Sequence, residues 1–355
     1  MESMLSSRIR KFNIGLVGHV SNGKTTLVEK LTNVNTKKHS KEMKDGRTVH
    51  MGYANLLLWG CNDCKKYYST GQKVKNHSCE YCNEPCKVHF EISLTDCPGH
   101  SAYIKTMIKG SSIIHGAIVV TSAKEFQQQL QTLEHLAILE ILGVKDVMVI
   151  QNKCDLVGKE DCVRNAEHIK QEFKGTIAET APIIPICAQR NINISHVVNQ
   201  LYKLCETLTQ RPREQAKHSG FAIVRSFDIN RPNTEIEKIK GGVLGGTVFG
   251  SCQIKVGDLV EIRPGLIVKD KETSTITYKP LRTTVKSIFS EEKSVSMCDE
   301  GGLFALGTNL DPSLTKSDRL VGHVVGCVNS TTTTSTLPNV QTSAQIKVIY
   351  TSAVS

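Results

Sequence analysis

The chain has 355 residues, of which 39% are hydrophobic, and a formal net charge of +10. This length favours two or more domains, and the apolar share is sufficient for packed cores. No run of eighteen apolar residues occurs, which excludes a conventional transmembrane helix, so we expect no membrane role. Residues 1–11 lack the apolar core of a secretory signal, so we expect a cytoplasmic protein.

The charge and the cysteine content each point to a kind of partner. A basic excess is compatible with a polyanion such as RNA, although a solvated basic surface would give the same composition. Thirteen cysteines in a chain without a secretory signal favour reduced thiols and metal binding over disulfides.

A loop near the N-terminus is typical of phosphate binding. Residues 18–25 read Gly-His-Val-Ser-Asn-Gly-Lys-Thr, between a strand-like run at 12–17 and a helix-like run that begins at Lys24. Backbone N–H groups in such a loop converge on phosphate oxygens at a helix N-terminus. We predict that Lys24 reaches the β- and γ-phosphates and that the Thr25 hydroxyl binds Mg²⁺. The residues predicted to contact a nucleotide here are Gly18, Ser21, Asn22, Gly23, Lys24, Thr25 and Thr26.

A cysteine-rich stretch lies at residues 61–86 and contains two Cys-x-x-Cys pairs separated by fourteen residues. Two such pairs can hold one zinc ion in a closed tetrahedral thiolate site, which would stiffen the stretch without catalysing a reaction. His77 and Cys86 are spare candidate ligands, and the alternative is a loop of reduced thiols that binds no metal. The predicted zinc ligands are Cys61, Cys64, Cys79 and Cys82.

Two other segments would complete a magnesium and γ-phosphate site. In Asp-Cys-Pro-Gly-His, which follows a strand with alternating apolar residues, Asp96 is placed to help hold Mg²⁺ and Gly99 to donate its N–H to the γ-phosphate. Thr48, in a basic loop, is placed to close over Mg²⁺ as a switch ordered by the triphosphate. His100 is a candidate catalytic residue that would orient the attacking water, although a structural histidine is the alternative.

Base recognition is predicted from a third motif. Asn152, Lys153 and Asp155 follow a buried-strand run at residues 147–151. The Asp155 carboxylate can accept hydrogen bonds from N1–H and the 2-amino group of guanine, which adenine lacks. The position at the carboxyl end of a strand favours a binding site over a helix-capping loop. A later strand end could present backbone N–H groups to the guanine O6, from Cys187, Ala188 and Gln189.

The order of strand-like and helix-like runs predicts the fold class. Their alternation indicates an α/β domain at residues 1–212, with a mostly parallel sheet and helices on both faces. Together with the phosphate loop and the guanine motif, this predicts a P-loop GTPase domain. Short β-rich runs between Gly-rich turns indicate a β-barrel domain at 213–329, and residues 330–355 read as a linker and one strand at 344–350. The predicted strands are 12–17, 88–95, 117–121, 147–151, 183–187, 221–227, 243–249, 259–262, 283–289, 303–306 and 319–328, and the later predicted helices are 128–142 and 194–208.

Taken together, these motifs resemble the gamma subunit of eukaryotic and archaeal translation initiation factor two. The resemblance covers residues 10–350 and includes the three nucleotide motifs and the cysteine-rich insertion before Asp96. Its most specific parts are Arg-Ser-Phe-Asp-Ile-Asn-Arg-Pro at 225–232, Gly-Gly-Val-Leu-Gly-Gly at 241–246 and Glu-Ile-Arg-Pro-Gly at 261–265.

The resemblance implies a GTPase that cycles between GTP and GDP with Mg²⁺. In its GTP state such a factor holds methionylated initiator tRNA, delivers it to the small ribosomal subunit, and loosens its grip after hydrolysis. It works with alpha and beta subunits, and with GTPase-activating and nucleotide-exchange factors. The resemblance also implies a third β-barrel domain, of which only the first strand is expected here.

The chain departs from the family's pattern at several positions. Ser21 and Asn22 stand where the family usually has Ala or Asp and then His. The backbone cradle therefore carries over to this chain, whereas the family's side-chain contacts to phosphate or Mg²⁺ do not carry over at these two positions. Ser101 stands where Asp is frequent. Cys187 replaces a serine whose contact with the base is made through the backbone, so we expect a mild effect.

Two other functions fit part of the sequence. A P-loop ATP enzyme of sulfate activation has a similar nucleotide half, but the guanine motif argues against it. A nucleotide-binding assembly scaffold without efficient hydrolysis would fit Asn22, Ser101 and the expected short third domain.

Overall fold

The computed structural model divides the chain into two compact units, Met1–Pro212 and Arg213–Ser355. The described residues are 9–35, 52–72, 78–98, 113–125, 130–211, 219–269, 276–290, 293–328 and 337.

The first unit contains a seven-stranded sheet in the order β3-β2-β4-β1-β5-β6-β7. Strands β4, β1, β5, β6 and β7 are parallel, and the hairpin of β2 and β3 continues the sheet in antiparallel fashion beside β4. The strands are β1 (Arg10–Val17), β2 (Gly52–Cys61), β3 (Lys66–Ser69), β4 (Lys87–Asp96), β5 (Gly116–Ser122), β6 (Val147–Asn152) and β7 (Ile183–Pro185).

Helices cover both faces of this sheet, as the sequence predicts. All residues of β5 and β6 are buried, and alternate residues along them belong to different hydrophobic cores. Ile118 and Val120 of β5 pack with one pair of helices, α1 and α4, whereas Ala117 and Val119 pack with the other pair, α2 and α3. The helices are α1 (Lys24–Thr32), α2 (Leu130–Ile141), α3 (Lys159–Glu172) and α4 (Ile194–Gln210).

The β2–β3 hairpin has no counterpart among the predicted elements. Residues along β2 alternate between buried and partly buried positions, which is typical of a strand with one covered face. The hairpin also packs on α4, where the rings of Tyr67 and Tyr202 stack with centroids 3.5 Å apart.

The second unit is a closed six-stranded antiparallel barrel. Its strands follow the order β11-β16-β8-β9-β15-β12, and β12 pairs back with β11, so no barrel edge remains open. The short strand β13 pairs in antiparallel fashion with the last residues of β12, and β10 pairs with β14. The elements are β8 (Gly220–Phe227), β9 (Val243–Phe249), β10 (Ile254–Lys255), β11 (Leu259–Lys269), β12 (Ile276–Ser290), β13 (Lys293–Val295), β14 (Met297–Cys298), β15 (Phe304–Thr308), α5 (Pro312–Thr315) and β16 (Val324–Cys327).

The α/β class and the barrel are therefore confirmed, but several predicted boundaries are wrong. The strand predicted at 319–328 begins only at Val324, because a short 3-10 helix and a turn occupy the residues before it. The strand predicted at 183–187 ends at Pro185, after which Cys187 forms an isolated bridge with Ile192. The strand predicted at 344–350 lies outside the described residues.

No helix within the described ranges combines the length and the apolarity needed to cross a lipid bilayer.

Two adjacent glycines of β9 allow a test of the barrel packing. A Cβ built on Gly246 would lie 2.0 Å from the Ala222 carbonyl oxygen, whereas one on Gly245 would approach nothing closer than 3.3 Å. We expect Gly246→Ala to lower the free energy of unfolding of the barrel by about 1–3 kcal/mol, because backbone cannot move aside cheaply. Gly245→Ala is the matched control, with a smaller expected loss. Urea unfolding would measure both, and equal losses would contradict the packing argument.

Candidate functional site

The phosphate loop joins β1 to α1, as predicted, and three of its residues have positive φ. These are Gly18 at 131°, Ser21 at 66° and Gly23 at 92°. A Cβ on Gly18 would lie 2.2 Å from the carbonyl oxygen of Val120, so glycine is required there by close approach as well as by conformation. The loop therefore has the tight turn that places backbone amides at the start of a helix.

Lys24 is buried at the first position of α1. Its Nζ donates to the carbonyl oxygens of Gly18, at 2.8 Å, and His19, at 2.9 Å. Burial lowers the pKa of Lys24, and the nearby Asp96 carboxylate opposes that shift. The ammonium group is thus held inside the loop, where it can neutralise phosphate charge.

The predicted magnesium residues lie in contact. The Thr25 hydroxyl donates to Oδ2 of Asp96 at 2.6 Å, because the parallel pairing of β1 and β4 brings the start of α1 beside the end of β4. A hydroxyl and a buried carboxylate are oxygen ligands of the kind Mg²⁺ takes, directly or through water, so the pair fits the ion. Thr26, the next residue of α1, is partly buried.

Asn22 and Ser21 differ in what their side chains do. The Asn22 side chain is buried and its Nδ2 donates to the Val120 carbonyl oxygen at 2.9 Å, so it braces the loop against β5. Ser21 is exposed at the tip of the loop. The Asn22 side chain thus has a structural contact, and only its backbone remains a predicted phosphate contact.

Asn152 links the phosphate loop to the predicted base site. It is the last residue of β6 and is buried. Its Nδ2 donates to the Asn22 carbonyl oxygen at 2.8 Å, and its Oδ1 accepts from the Ala188 N–H at 3.0 Å. Both polar atoms of one amide therefore fix two separate loops relative to each other. The Ala188 N–H is one of the groups that we predict to donate to guanine O6, and in this structure it donates to Asn152 Oδ1.

Asp155 lies in a short 3-10 helix, Cys154–Leu156, that begins after Lys153, whose φ is 63°. A hydrogen bond from the Cys187 thiol, assisted by the positive charge of Arg190, holds the pKa of Asp155 below its ordinary value. The Arg190 Nε lies 3.3 Å from Asp155 Oδ2. The carboxylate is therefore kept ionised, which is the state that the predicted hydrogen bonds from guanine require.

Two of these contacts were not predicted from the sequence. Arg190 directly follows the predicted residue Gln189, which is exposed. Only the loop conformation brings the Arg190 side chain to Asp155. The Cys187 thiol also contributes to the lowered pKa of Asp155, so the side chain at that position matters more than a purely backbone role implies.

His135 is a further site residue that sequence reasoning missed. It lies on α2 and is 1% exposed, and its Nδ1 accepts from the Gly18 N–H at 3.2 Å. Burial, together with the charge of Lys24, lowers its pKa to about 4. The neutral ring is thus an acceptor for the first amide of the phosphate loop. No local motif marks it, since the contact spans 117 positions of sequence.

Three predicted residues, Thr48, Gly99 and His100, lie outside the described residues, as does the spare zinc candidate His77. Their assigned roles remain predictions.

The four predicted zinc ligands come together. Their Sγ atoms all lie within 4.8 Å of one another, with Cys61 and Cys82 at 3.5 Å. The hydroxyl of Tyr68 contacts the Cys79 sulfur and lowers the pKa of that thiol to about 6, which favours the thiolate that a metal binds. Four converging sulfurs of this kind fit a tetrahedral zinc ion. Cys86, a spare candidate, is buried nearby but is not part of the four-sulfur group.

The sequence and the fold are both similar to known proteins. Residues 9–207 match the Elongation factor Tu GTP binding domain family. The translation initiation factor 2 subunit gamma of Methanosarcina mazei is 43% identical over 316 residues, which cover 88% of this chain and 71% of that protein. The subunit of the same name from Pyrococcus furiosus is 41% identical over 90% of this chain and 75% of that protein.

Solved structures support the fold alone, because their sequence identity is low. A bacterial selenocysteine-specific elongation factor, EF-Sec, has a TM-score of 0.66 at 22% identity, and covers 89% of this chain and 45% of its own. Elongation factor SelB from Methanococcus maripaludis, in complex with the GTP analogue GppNHp, has a TM-score of 0.64 at 22% identity. The matched part is 89% of this chain and 55% of the SelB chain. The chain thus spans about half the length of these solved proteins.

Because His135 is buried in its neutral form beside the phosphate loop, we predict that the folded chain loses stability in acid. Its pKa is about 4 in the folded chain and about 6.5 when unfolded, so between these values the unfolded chain binds the extra proton. The contribution of His135 to the free energy of unfolding is therefore fully present above about pH 6.5 and is lost as the pH falls toward 4. The total loss from this residue is about 3 kcal/mol.

The variant His135→Asn keeps an acceptor for Gly18 but cannot be protonated. Urea unfolding at several pH values between 4 and 7 should show a shallower loss for this variant than for the unmodified chain. Identical pH profiles would show that His135 does not titrate as described.

The cysteine cluster predicts metal content. We expect the purified protein to contain about one zinc ion per chain, and Cys61→Ser combined with Cys64→Ser to lose it, because half of the thiolates are removed. Cys86→Ser is the matched control, which should retain zinc. Elemental analysis would measure all three, and zinc retained by the double variant would contradict the assignment.

Proposed function

This chain belongs to the family of translation initiation factor 2 gamma subunits and is a GTPase, and we propose that its GTP-bound form binds methionylated initiator tRNA and delivers it to the small ribosomal subunit. Hydrolysis of GTP to GDP would then trigger release. In this proposal the chain works with alpha and beta subunits of the same factor, in the cytoplasm, and depends on GTPase-activating and nucleotide-exchange factors.

The observation that carries the guanine part of the proposal is that the Asn152 side chain hydrogen-bonds to both the phosphate loop and the 187–189 loop. It supports a single ligand that touches both loops, with phosphates at one end and a base at the other. The ionised Asp155 carboxylate, beside Arg190, is the group that would distinguish guanine from adenine.

The residues of the phosphate end have separate tasks. Lys24 would leave its two loop carbonyls to bind the β- and γ-phosphates, and the loop amides would bind the remaining phosphate oxygens. Thr25 and Asp96 would hold Mg²⁺, which, when bound, neutralises charge on the phosphates. We propose that His100 orients the attacking water, and that Thr48 and Gly99 respond to the γ-phosphate.

The barrel has a surface suited to nucleic acid. A cavity of about 530 Å³ is lined by Phe227 and Phe289, both about two-fifths exposed, and by Lys240 and Lys286. Exposed aromatic rings can stack on bases, and lysines can neutralise phosphates. Together with the net charge of +10, this surface supports tRNA as the ligand.

Exchange of the base-reading carboxylate tests both parts of the proposal. Asp155→Asn presents a donor where guanine needs an acceptor, so we expect GTP affinity to fall on the order of 100-fold and binding of xanthosine triphosphate to appear. Asp161→Asn, an exposed acid that pairs with Arg164, is the matched control. Calorimetric titration would measure both nucleotides.

The same variants then report on tRNA. With a non-hydrolysable GTP analogue, the unmodified chain should retain methionylated initiator tRNA on a filter, and with GDP it should not. Asp155→Asn should retain it only with the corresponding xanthosine analogue. Guanine selectivity without nucleotide-dependent tRNA retention would leave the GTPase assignment standing and refute the carrier function.

A further inference from the structure

Two thiols lie side by side behind the base-recognition segment. Cys154 is in the 3-10 helix between Lys153 and Asp155, and Cys162 is in the first turn of α3. Their Sγ atoms are 3.3 Å apart, and both side chains are partly exposed. Because a disulfide bond is about 2.05 Å long, an approach of about 1.3 Å would join them.

The thiols are also part of the hydrogen bonding of Gln151, the buried residue before Asn152. The Cys162 thiol donates to Gln151 Oε1 at 3.3 Å, and the Cys154 thiol donates to the Gln151 backbone oxygen at 3.2 Å. Gln151 Nε2 in turn donates to the Cys162 carbonyl oxygen at 2.8 Å and to Asn165 Oδ1 at 2.7 Å. A disulfide has no S–H donor, so joining the sulfurs would remove two donors from Gln151.

We propose that Cys154 and Cys162 form a redox-sensitive thiol pair, which a peroxide oxidises to a disulfide that weakens guanine nucleotide binding. The inference rests on the proposed function only for the identity of the nucleotide. The pair differs from the zinc-ligand cluster, which lies in the β2–β3 hairpin region.

The reaction proceeds in two balanced steps. The Cys162 sulfur attacks one peroxide oxygen, the O–O bond breaks, and a sulfenic acid and one water form. The Cys154 sulfur then attacks the Cys162 sulfur, an S–S bond replaces the S–O bond, and a second water leaves. The two thiols together lose two electrons and two protons, and hydrogen peroxide is reduced to two waters. Partial burial raises the pKa of Cys154 to about 12, which is why we assign the first attack to Cys162.

The disulfide would act on the base site through a short path. Cys154 is covalently adjacent to both Lys153 and Asp155, and its backbone N–H donates to the Ile186 carbonyl oxygen at 3.1 Å. Ile186 immediately precedes the 187–189 loop. A shift of about 1 Å in this turn therefore moves the base-reading carboxylate and the loop that faces it, and misplacement on that scale can reduce binding on the order of tenfold or more.

The test uses the full chain with its metal, treated with hydrogen peroxide and compared with Cys162→Ser. Trypsin cleaves after Lys153, Lys159 and Arg164, so the disulfide would join peptides 154–159 and 160–164, which mass spectrometry detects. Calorimetry measures GTP affinity before oxidation, after it, and after reduction with dithiothreitol. Peroxide also attacks zinc thiolates and can attack other thiols such as Cys187, but Cys162→Ser retains all of these. This variant therefore reports every effect of peroxide that does not require the bond between Cys154 and Cys162.

We expect the linked peptides, together with a GTP affinity at least tenfold weaker that dithiothreitol restores, in the unmodified chain only. Absence of the linked peptides overturns the proposal, as does a disulfide that leaves GTP affinity unchanged or an equal loss of affinity in Cys162→Ser. If the reduced chain does not bind GTP, the proposed function fails first, and the peptide result still reports on the thiol pair.

Discussion

The side-chain amide of Asn152 is the interaction on which the rest of the site depends. It stands at the carboxyl end of β6, where the parallel sheet directs successive loops to the same edge. Because its donor engages one loop and its acceptor engages another, neither loop can shift independently. This close packing also restricts position 23 to glycine, since a Cβ on Gly23 would lie 2.3 Å from the Asn152 amide nitrogen.

Burial gives this arrangement its electrostatic strength. Lys24 and Asp96 are both nearly inaccessible to water, and the Asp96 carboxylate partly offsets the lowering of the Lys24 pKa by burial. In such surroundings charges interact more strongly than in bulk water, so a phosphate and a metal ion would bind more strongly to these groups than to the same groups in water. The neutral, buried His135 contributes by accepting a hydrogen bond without adding a competing positive charge.

The parts of the site that follow from local sequence could be predicted. Lys24, Thr25 and Asp96 belong to short motifs whose geometry depends on a strand, a turn and a helix, and the alternation of such elements was evident along the chain. The cysteine pairs were predictable for the same reason, because their spacing fixes two tight turns. The confirmed helix beginning at Ile194 shows a strong helical period of apolar residues.

Other contacts could not be predicted because they depend on long-range packing. Gly18 meets His135 across 117 positions, and no pattern in either segment marks the pair. Arg190 reaches Asp155 only through a loop with irregular backbone. The β2 strand was missed although its residues alternate in burial, because such a run is ambiguous until its partner strands are known.

The position of the four-sulfur cluster at the end of the sheet has a consequence for protein quality control. Among the described strands β3 is the outermost; it has only four residues, and it covers the outer hydrogen-bonding edge of β2 from Leu58 to Cys61. A metal ion that fixes the hairpin would therefore protect a sheet margin, and exposed margins promote strand-to-strand aggregation. Cells starved of zinc would then be expected to accumulate insoluble chains even though the nucleotide pocket had not changed.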